Sequence, residues 1–396
     1  MELPFKGVRV LDWGQGIDAP FCAKLLAALG ADVIKIEPLE GDSSRRSGPF
    51  PQDIPHPERS GLFLFLNTGK QGITLNATSA TGQELLLRLV ARADVLVENF
   101  PPNALQSSGL SRDAFLKANP RLVLTSVTPF GLTGPYKDYL ASELGVHALS
   151  AELSVAGLPD RPPLKKGGEI AQYLGGLHAF IATVASCYKR QVTGKGEHND
   201  VSLSEGVTSI IGMATRHAAY LGKPSPRRAG MGVGPTGVYP TKDGYMVTMT
   251  RGGSNWQKDF EDMMREGGAP TEVPTARGDG GDAQEPIQVR FYRWMEQRTK
   301  DEMYHLAQKR RQAFGPVVTA PDLLASEQLQ QRGYFERVEH PAAGPMTMMG
   351  LPFLLNGERS PMGRAPLLGE HNEAVYSGLL GLSRQDLVTL RQVGVA

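Results

Sequence analysis

The sequence predicts an α/β protein in which a doubly wound parallel sheet precedes a second, smaller α/β unit. Three observations carry this. Across residues 1–130, short β-rich runs alternate with amphipathic helical stretches, the pattern of strand–helix–strand units. The strand runs are rich in Val, Ile and Leu, as strands covered on both faces are. Further on, runs at 238–241 and 245–249 flank Lys242-Asp243-Gly244, a hairpin that opens a separate, shorter unit.

In chain order, residues 7–13 read as a strand and 20–29 as a helix, with Pro20 near its first turn and Gly30 at its end. Strands follow at 32–37, 73–75, 95–97 and 122–127, with helices around 82–90 and 112–118 between them. From Glu143 to about Leu221 the pattern is mostly helical, broken by a Pro/Gly-rich loop at 157–168 and a turn at 194–196. These readings divide the chain into a large domain over 1–221, a linker with a small α/β domain over 222–326, and a C-terminal segment over 327–396.

Of 396 residues, 40% are hydrophobic and 21% charged, the composition of a globular protein with a sizeable core. The formal net charge of +1 supplies no basic field for nucleic acid or an anionic membrane. Two cysteines, Cys22 and Cys187, are too few for a disulfide framework and sit among apolar helical neighbours. No signal peptide opens the chain and no run approaches the roughly 18 apolar residues of a membrane span, so a cytoplasmic protein is expected. Asp279-Gly280-Gly281-Asp282 lacks the remaining ligands of a calcium loop, and no metal is expected.

Gly14-Gln15-Gly16 after the first strand, with Glu37 closing the second, resembles the phosphate turn and ribose acid of a nicotinamide-dependent dehydrogenase. Two details oppose it. Pro20 removes a helix N–H that a pyrophosphate would use, and Glu37 runs into Pro38 and the Gly41-Asp42-x-x-Arg45 turn.

A series of separated motifs points elsewhere. They include 29–37 (LGADVIKIE), Gly41-Asp42-x-x-Arg45, Asn67-x-x-Lys70, 93–100 (ADVLVENF), Phe130-Gly131-x-Thr133-Gly134-Pro135-Tyr136, Thr193-Gly194-x-Gly196, Asp200-Val201-Ser202-Leu203 and 365–371 (APLLGEH). In this order and spacing the chain resembles the family III CoA-transferases, of carnitine/bile-acid-inducible and formyl-CoA transferase type. The resemblance implies a Rossmann-like large domain, a small domain, a C-terminal segment returning to the large one, and two chains threaded as interlocked rings. It implies coenzyme A as the thioester substrate and product, exchanged between an acyl-CoA and a small carboxylic acid.

By the same resemblance Asn67, Lys70, Asn99 and Phe100 line the nucleotide part of CoA, and Glu143 is a CoA-contacting acid. Lys70 suits a phosphate as a point charge, Asn99 offers amide hydrogen bonds, and Phe100 an apolar face for adenine. An arginine of the family pattern falls at Ser107 here, so Arg45 or Arg46 is expected to share the phosphate grip. Gly230, Gly232 and Gly234 match a glycine-rich loop that closes over the thioester, glycine permitting close backbone approach.

In the family a carboxylate four residues before the Gly-[Leu/Met]-His/Tyr stretch attacks the thioester; here that stretch is Gly176-Leu177-His178, and the position falls on Gln172. An amide is a poor nucleophile at a carbonyl carbon. Glu169, three residues earlier and on the same helical face, is the replacement candidate; Gln172 is left as an oxyanion donor. The other reading is a nucleophile-free subunit of the benzylsuccinate CoA-transferase type, paired with a homologous, aspartate-bearing subunit. An acyl-CoA racemase is the third, but its His-Asp-x-Asn-Tyr motif falls on 142–146 (SELGV) without the histidine. His147 and His178 are at most acid–base groups.

Overall fold

The computed structural model describes residues 2–107, 109–227, 234–250, 255–269 and 286–396. The chain divides into two compact units, one of residues 1–154, 164–225 and 327–396, the other of 155–163 and 226–326.

The first unit is built on β1 (Arg9–Asp12), α1 (Asp18–Ala28), β2 (Asp32–Glu37), α2 (Gly61–Leu66), β3 (Gln71–Thr74), α3 (Ala80–Val90), β4 (Val95–Glu98), α4 (Pro102–Ser107), α5 (Arg112–Ala118) and β5 (Val123–Thr128). It continues through α6 (Glu143–Leu149), α7 (Glu152–Val155), α8 (Ile170–Thr193), β6 (Glu197–Ser202), α9 (Leu203–Ile210) and α10 (Gly212–Leu221). All six strands run parallel in the order β3-β2-β1-β4-β5-β6. This is the doubly wound order whose reversal lies between β1 and β4.

The period-two alternation of the strands explains the two cores. Val10, Val95, Val97, Val123 and Val127 face α1 and α8 in one cluster. Leu11, Leu96, Leu124, Ile34, Ile36 and Ile73 face α3 and α5 in the other. Strand β6 corrects the helical reading of this region. It is an edge strand whose residues Glu197, His198, Asn199 and Asp200 alternate between exposed and half-buried, so no apolar run announces it.

Helix α8 corrects a second expectation: among the described residues it is the one helix long and apolar enough to cross a membrane. Its apolarity has a folded use. Ala171, Gly175, Gly176, Ala179 and Thr183 are buried, and the helix packs on α1, β5, β6 and α9. Gly194, at φ 71°, ends it in the left-handed region.

The second unit holds β7 (Gly237–Thr241), β8 (Gly244–Thr248), α11 (Trp256–Glu266), α12 (Ile287–Glu296), α13 (Lys300–Lys309), β9 (Gly315–Pro316) and α14 (Ala320–Leu324). β7 and β8 form the expected antiparallel hairpin, and β9 adds to β8. Phe260, Phe291, Trp294 and Phe314 fill its core. Residues 327–396 belong to the first unit and carry α15 (Glu327–Gln331), the β10 (Phe335–His340)–β11 (Gly344–Met349) hairpin, α16 (Asn372–Leu380) and α17 (Arg384–Gln392). Tyr376 of α16 is buried beside the β3 end of the sheet, donating from its hydroxyl to the Thr74 carbonyl at 2.7 Å.

Candidate active site

The turn after β1 is held by buried charge. Lys35 Nζ donates to Asp42 Oδ2 at 2.7 Å, with Asp12 Oδ2 at 3.8 Å; Asp42 Oδ1 accepts from the Gly16 N–H at 3.1 Å. Burial works against ionised Asp42, but Lys35 outweighs it and holds the carboxyl at about 2. Glu37 accepts from Arg45 Nε at 2.6 Å, Arg45 Nη2 at 2.8 Å and the Asp42 N–H at 2.9 Å. The acid of the dinucleotide reading is therefore a buried structural group, with nothing left for a ribose.

Three residues expected to contact CoA take internal partners in the same packing. Arg45 is buried, stacks 3.6 Å over the Phe63 ring, and binds Glu58 with its remaining nitrogen at 2.7 Å. Lys70 is buried, its ammonium donating to Asp12 Oδ2 at 2.7 Å, the Pro20 carbonyl at 2.8 Å and Asn67 Oδ1 at 2.9 Å. Asn67 is fully buried and donates to the Phe63 carbonyl. A phosphate would have to displace all these partners inside the core. Arg46, by contrast, is exposed.

Asn99 and Phe100 lie at the C-terminal end of β4 and separate two clefts. One is lined by Trp13, Gln15, Pro38, Leu39, Leu75 and Phe100, at the C-terminal ends of β1 to β4. Phe100 and Trp13 meet there with ring centroids 4.5 Å apart. The second is lined by Asp18, Asn99, Pro101, Val127, Tyr139, Glu143, Gln172 and Leu203, among others. It opens beyond the C-terminal ends of β1, β4 and β5, beside the order reversal, where sheets of this kind bind ligands.

In that second cleft Asn99 joins the two turns: its Nδ2 donates to the Gln15 carbonyl at 2.7 Å and to Asp18 Oδ1 at 2.6 Å, while its Oδ1 accepts from the Gln15 N–H at 2.9 Å. Glu143, in the first turn of α6, accepts at Oε1 from the Ala171 N–H at 2.8 Å and lies 3.0 Å from His147 Nε2. Gln172 donates to Glu169 Oε2 at 3.3 Å, which fits the shared helical face. Glu169 itself is exposed at the start of α8, outside the residues lining the cleft. His178, at 2.8 Å from the Leu174 carbonyl, is also absent from the lining.

Asp18 is the site residue that sequence reasoning passed over. An acid in the first turn of a helix reads as dipole-favoured surface. Here it is 7% exposed, and burial pushes its carboxyl up to about 7 against the hydrogen bonds from Ala19 and Asn99. Gly230, Gly232 and 279–282 lie outside the described residues; Gly234, at φ 71°, sits where an added Cβ would come 2.5 Å from the Trp256 ring. Among the described residues no cluster of three metal-ligating side chains occurs.

The model of CoA-transferase family III matches residues 5–372. The chain belongs to that family. A formyl-CoA:oxalate CoA-transferase of Streptomyces coelicolor is 31% identical over 419 aligned positions, covering 98% of each chain. Subunit BbsE of the succinyl-CoA:(R)-benzylsuccinate CoA-transferase of Thauera aromatica is 32% identical, covering 95% of this chain and 94% of that one. Among solved structures, a CAIB/BAIF family protein from Brucella suis superposes with a TM-score of 0.81 at 26% identity, over 96% of this chain and all of that one. As a family III CoA-transferase, the protein is an enzyme whose chemistry runs on CoA thioesters.

Proposed function

We propose that this transferase moves CoA from an acyl-CoA to a small carboxylic acid, with the reacting thioester in the cleft of Asp18, Asn99, Glu143 and Gln172. The observation that carries it is the meeting of these four polar groups beside the order reversal of the sheet. The adenine lies in the neighbouring cleft against Phe100 and Trp13, and Arg46 takes a phosphate in place of Arg45 and Lys70. The likeness to formyl-CoA and succinyl-CoA transferases supports a short acyl donor.

Two chains assemble as interlocked rings. The outward face of α8 supports this: Leu177, Ile181, Tyr188 (71% exposed) and Val192 (78% exposed) form an apolar stripe at helical spacing. A second reading, favoured by the likeness to subunit BbsE, has a homologous chain as the partner.

The test is transfer from formyl-CoA and succinyl-CoA to oxalate and benzylsuccinate, followed by chromatography of the new thioester, together with calorimetric titration of CoA. A new thioester from the chain alone is the expected result. Absence of both transfer and CoA binding overturns the proposal.

A further inference from the structure

Resting on the transfer reaction proposed above, we infer that Asp18 is the nucleophile of this chain, its free carboxylate oxygen attacking the thioester in the cleft it shares with Gln172. Three features of the site point there.

The first is placement. Gln172 stands where the family resemblance puts the attacking acid, and Asp18 lines the same cleft from α1. The two helices touch here. Gly176, one turn beyond Gln172, sits so close that an added Cβ would be 2.5 Å from the Asp18 carbonyl oxygen. Helices α1 and α8 thus bring the Asp18 carboxylate and the Gln172 amide to one cleft.

The second is the division of labour between its oxygens. Oδ1 accepts from Asn99 Nδ2 and from the Ala19 N–H, each at 2.6 Å. Oδ2 has no hydrogen bond among the described residues, and no cation pairs with it. It is the oxygen free to attack. Burial also makes this carboxyl unusually basic, about 7, so its ionised form is a stronger nucleophile than a solvated aspartate.

The third is the chemistry of the later steps. Asp18 Oδ2 adds to the acyl carbon, the C–S bond breaks and CoA leaves as thiolate, giving a mixed anhydride. The thiolate then adds to Asp18 Cγ and expels the first carboxylate, leaving an aspartyl–CoA thioester. At that stage negative charge develops on Oδ1, which already holds two N–H donors and so has its oxyanion hole built in. The acceptor carboxylate attacks Cγ, again expelling the thiolate; the thiolate attacks the new acyl carbon, releasing acceptor-CoA and the free Asp18 carboxylate. Gln172 Nε2, held among the described residues by the 3.3 Å bond to Glu169, is placed to serve the oxyanion on the acyl carbon.

The competing carboxylates are less suited. Glu169 is exposed and outside the cleft lining. Glu143 lines the cleft and its Oε2 is unpartnered, but Lys165 Nζ lies 3.9 Å from Oε1, which also binds the Ala171 N–H.

The test is covalent. The purified full-length chain is incubated with formyl-CoA or succinyl-CoA, quenched with hydroxylamine, digested and analysed by mass spectrometry. Hydroxylamine turns the enzyme thioester into a hydroxamate on the attacking side chain and releases CoA. A hydroxamate on Asp18 is expected, absent from Asp18→Asn, with transfer in that variant lower by on the order of 10³-fold or more. A hydroxamate on Glu143 or Glu169, or its persistence in Asp18→Asn, overturns the assignment while leaving the transferase reading intact. Circular dichroism of Asp18→Asn checks folding. A chain that binds CoA by calorimetry but forms no adduct also overturns Asp18 as nucleophile; one that neither binds CoA nor transfers it overturns the transferase reading itself.

Discussion

Lys70→Met separates a structural lysine from a ligand-binding one. The ammonium it removes donates to Asp12 Oδ2 at 2.7 Å, the Pro20 carbonyl at 2.8 Å and Asn67 Oδ1 at 2.9 Å, all inside the protein. Burial is the largest influence on Lys70 and lowers it to about 8, so at pH 7 it is still mostly charged. Breaking one side of a buried ion pair costs about 3–5 kcal/mol, because the remaining charge stays in the core. Lys35, 3.8 Å from the same Asp12 oxygen, retains part of the pairing and sets the low end, about 3 kcal/mol. With a urea slope of roughly 3 kcal/mol/M, the unfolding midpoint drops by roughly 1 M. The assay is urea denaturation followed by circular dichroism, with CoA affinity measured calorimetrically on the folded fraction. An unchanged midpoint with loss of CoA binding would refute the reasoning and return Lys70 to the phosphate.

Further outcomes follow from individual contacts. Lys24 is buried with Nζ 3.2 Å above the Phe65 ring and no hydrogen-bond partner; burial, then the Lys70 charge, lowers it to about 7. The unfolded chain binds more protons between that value and about 10.4, so stability rises with pH across this window. Lys24→Met is expected to flatten that rise and add about 1–3 kcal/mol at pH 7, read by thermal melts from pH 6 to 10. Asp18 has the opposite sign: its folded value of about 7 lies above the unfolded one, so stability falls as pH climbs from about 4 to about 7. Asp18→Asn should therefore melt higher than wild type above pH 7 even as it loses its chemistry; a lower melting temperature would show the carboxylate to be a structural anion. Gly176→Ala places a Cβ 2.5 Å from the Asp18 carbonyl oxygen and should cost about 1–3 kcal/mol in urea, with slower transfer. Phe100→Ala is expected to weaken CoA binding by about 1–3 kcal/mol and leave pantetheine binding unchanged; equal losses on both ligands would remove adenine from the Trp13–Phe100 cleft.

The sequence by itself determined the parallel sheet and the family. Val/Ile/Leu-rich runs such as 95–97 and 122–127 are legible because a strand covered on both faces is apolar on both sides. Edge strand β6 escaped because half its surface meets water, and its residues read as part of a helical stretch until Ser126 and Thr128 pair with Asp200 and Ser202. The roles of charged residues were the least legible part. Lys70, Arg45 and Glu37 look like ligand-binding groups in a linear motif, and only folding shows their partners to be Asp12, Glu58 and one another's turn. Asp18 is the converse, an ordinary helix-start acid until α8 and Asn99 close over it. Sequence specifies which faces are apolar, a local property. Whether a charge is spent inside the protein or left for a ligand depends on what distant segments bring within about 3 Å of it, and that is decided only by the tertiary structure.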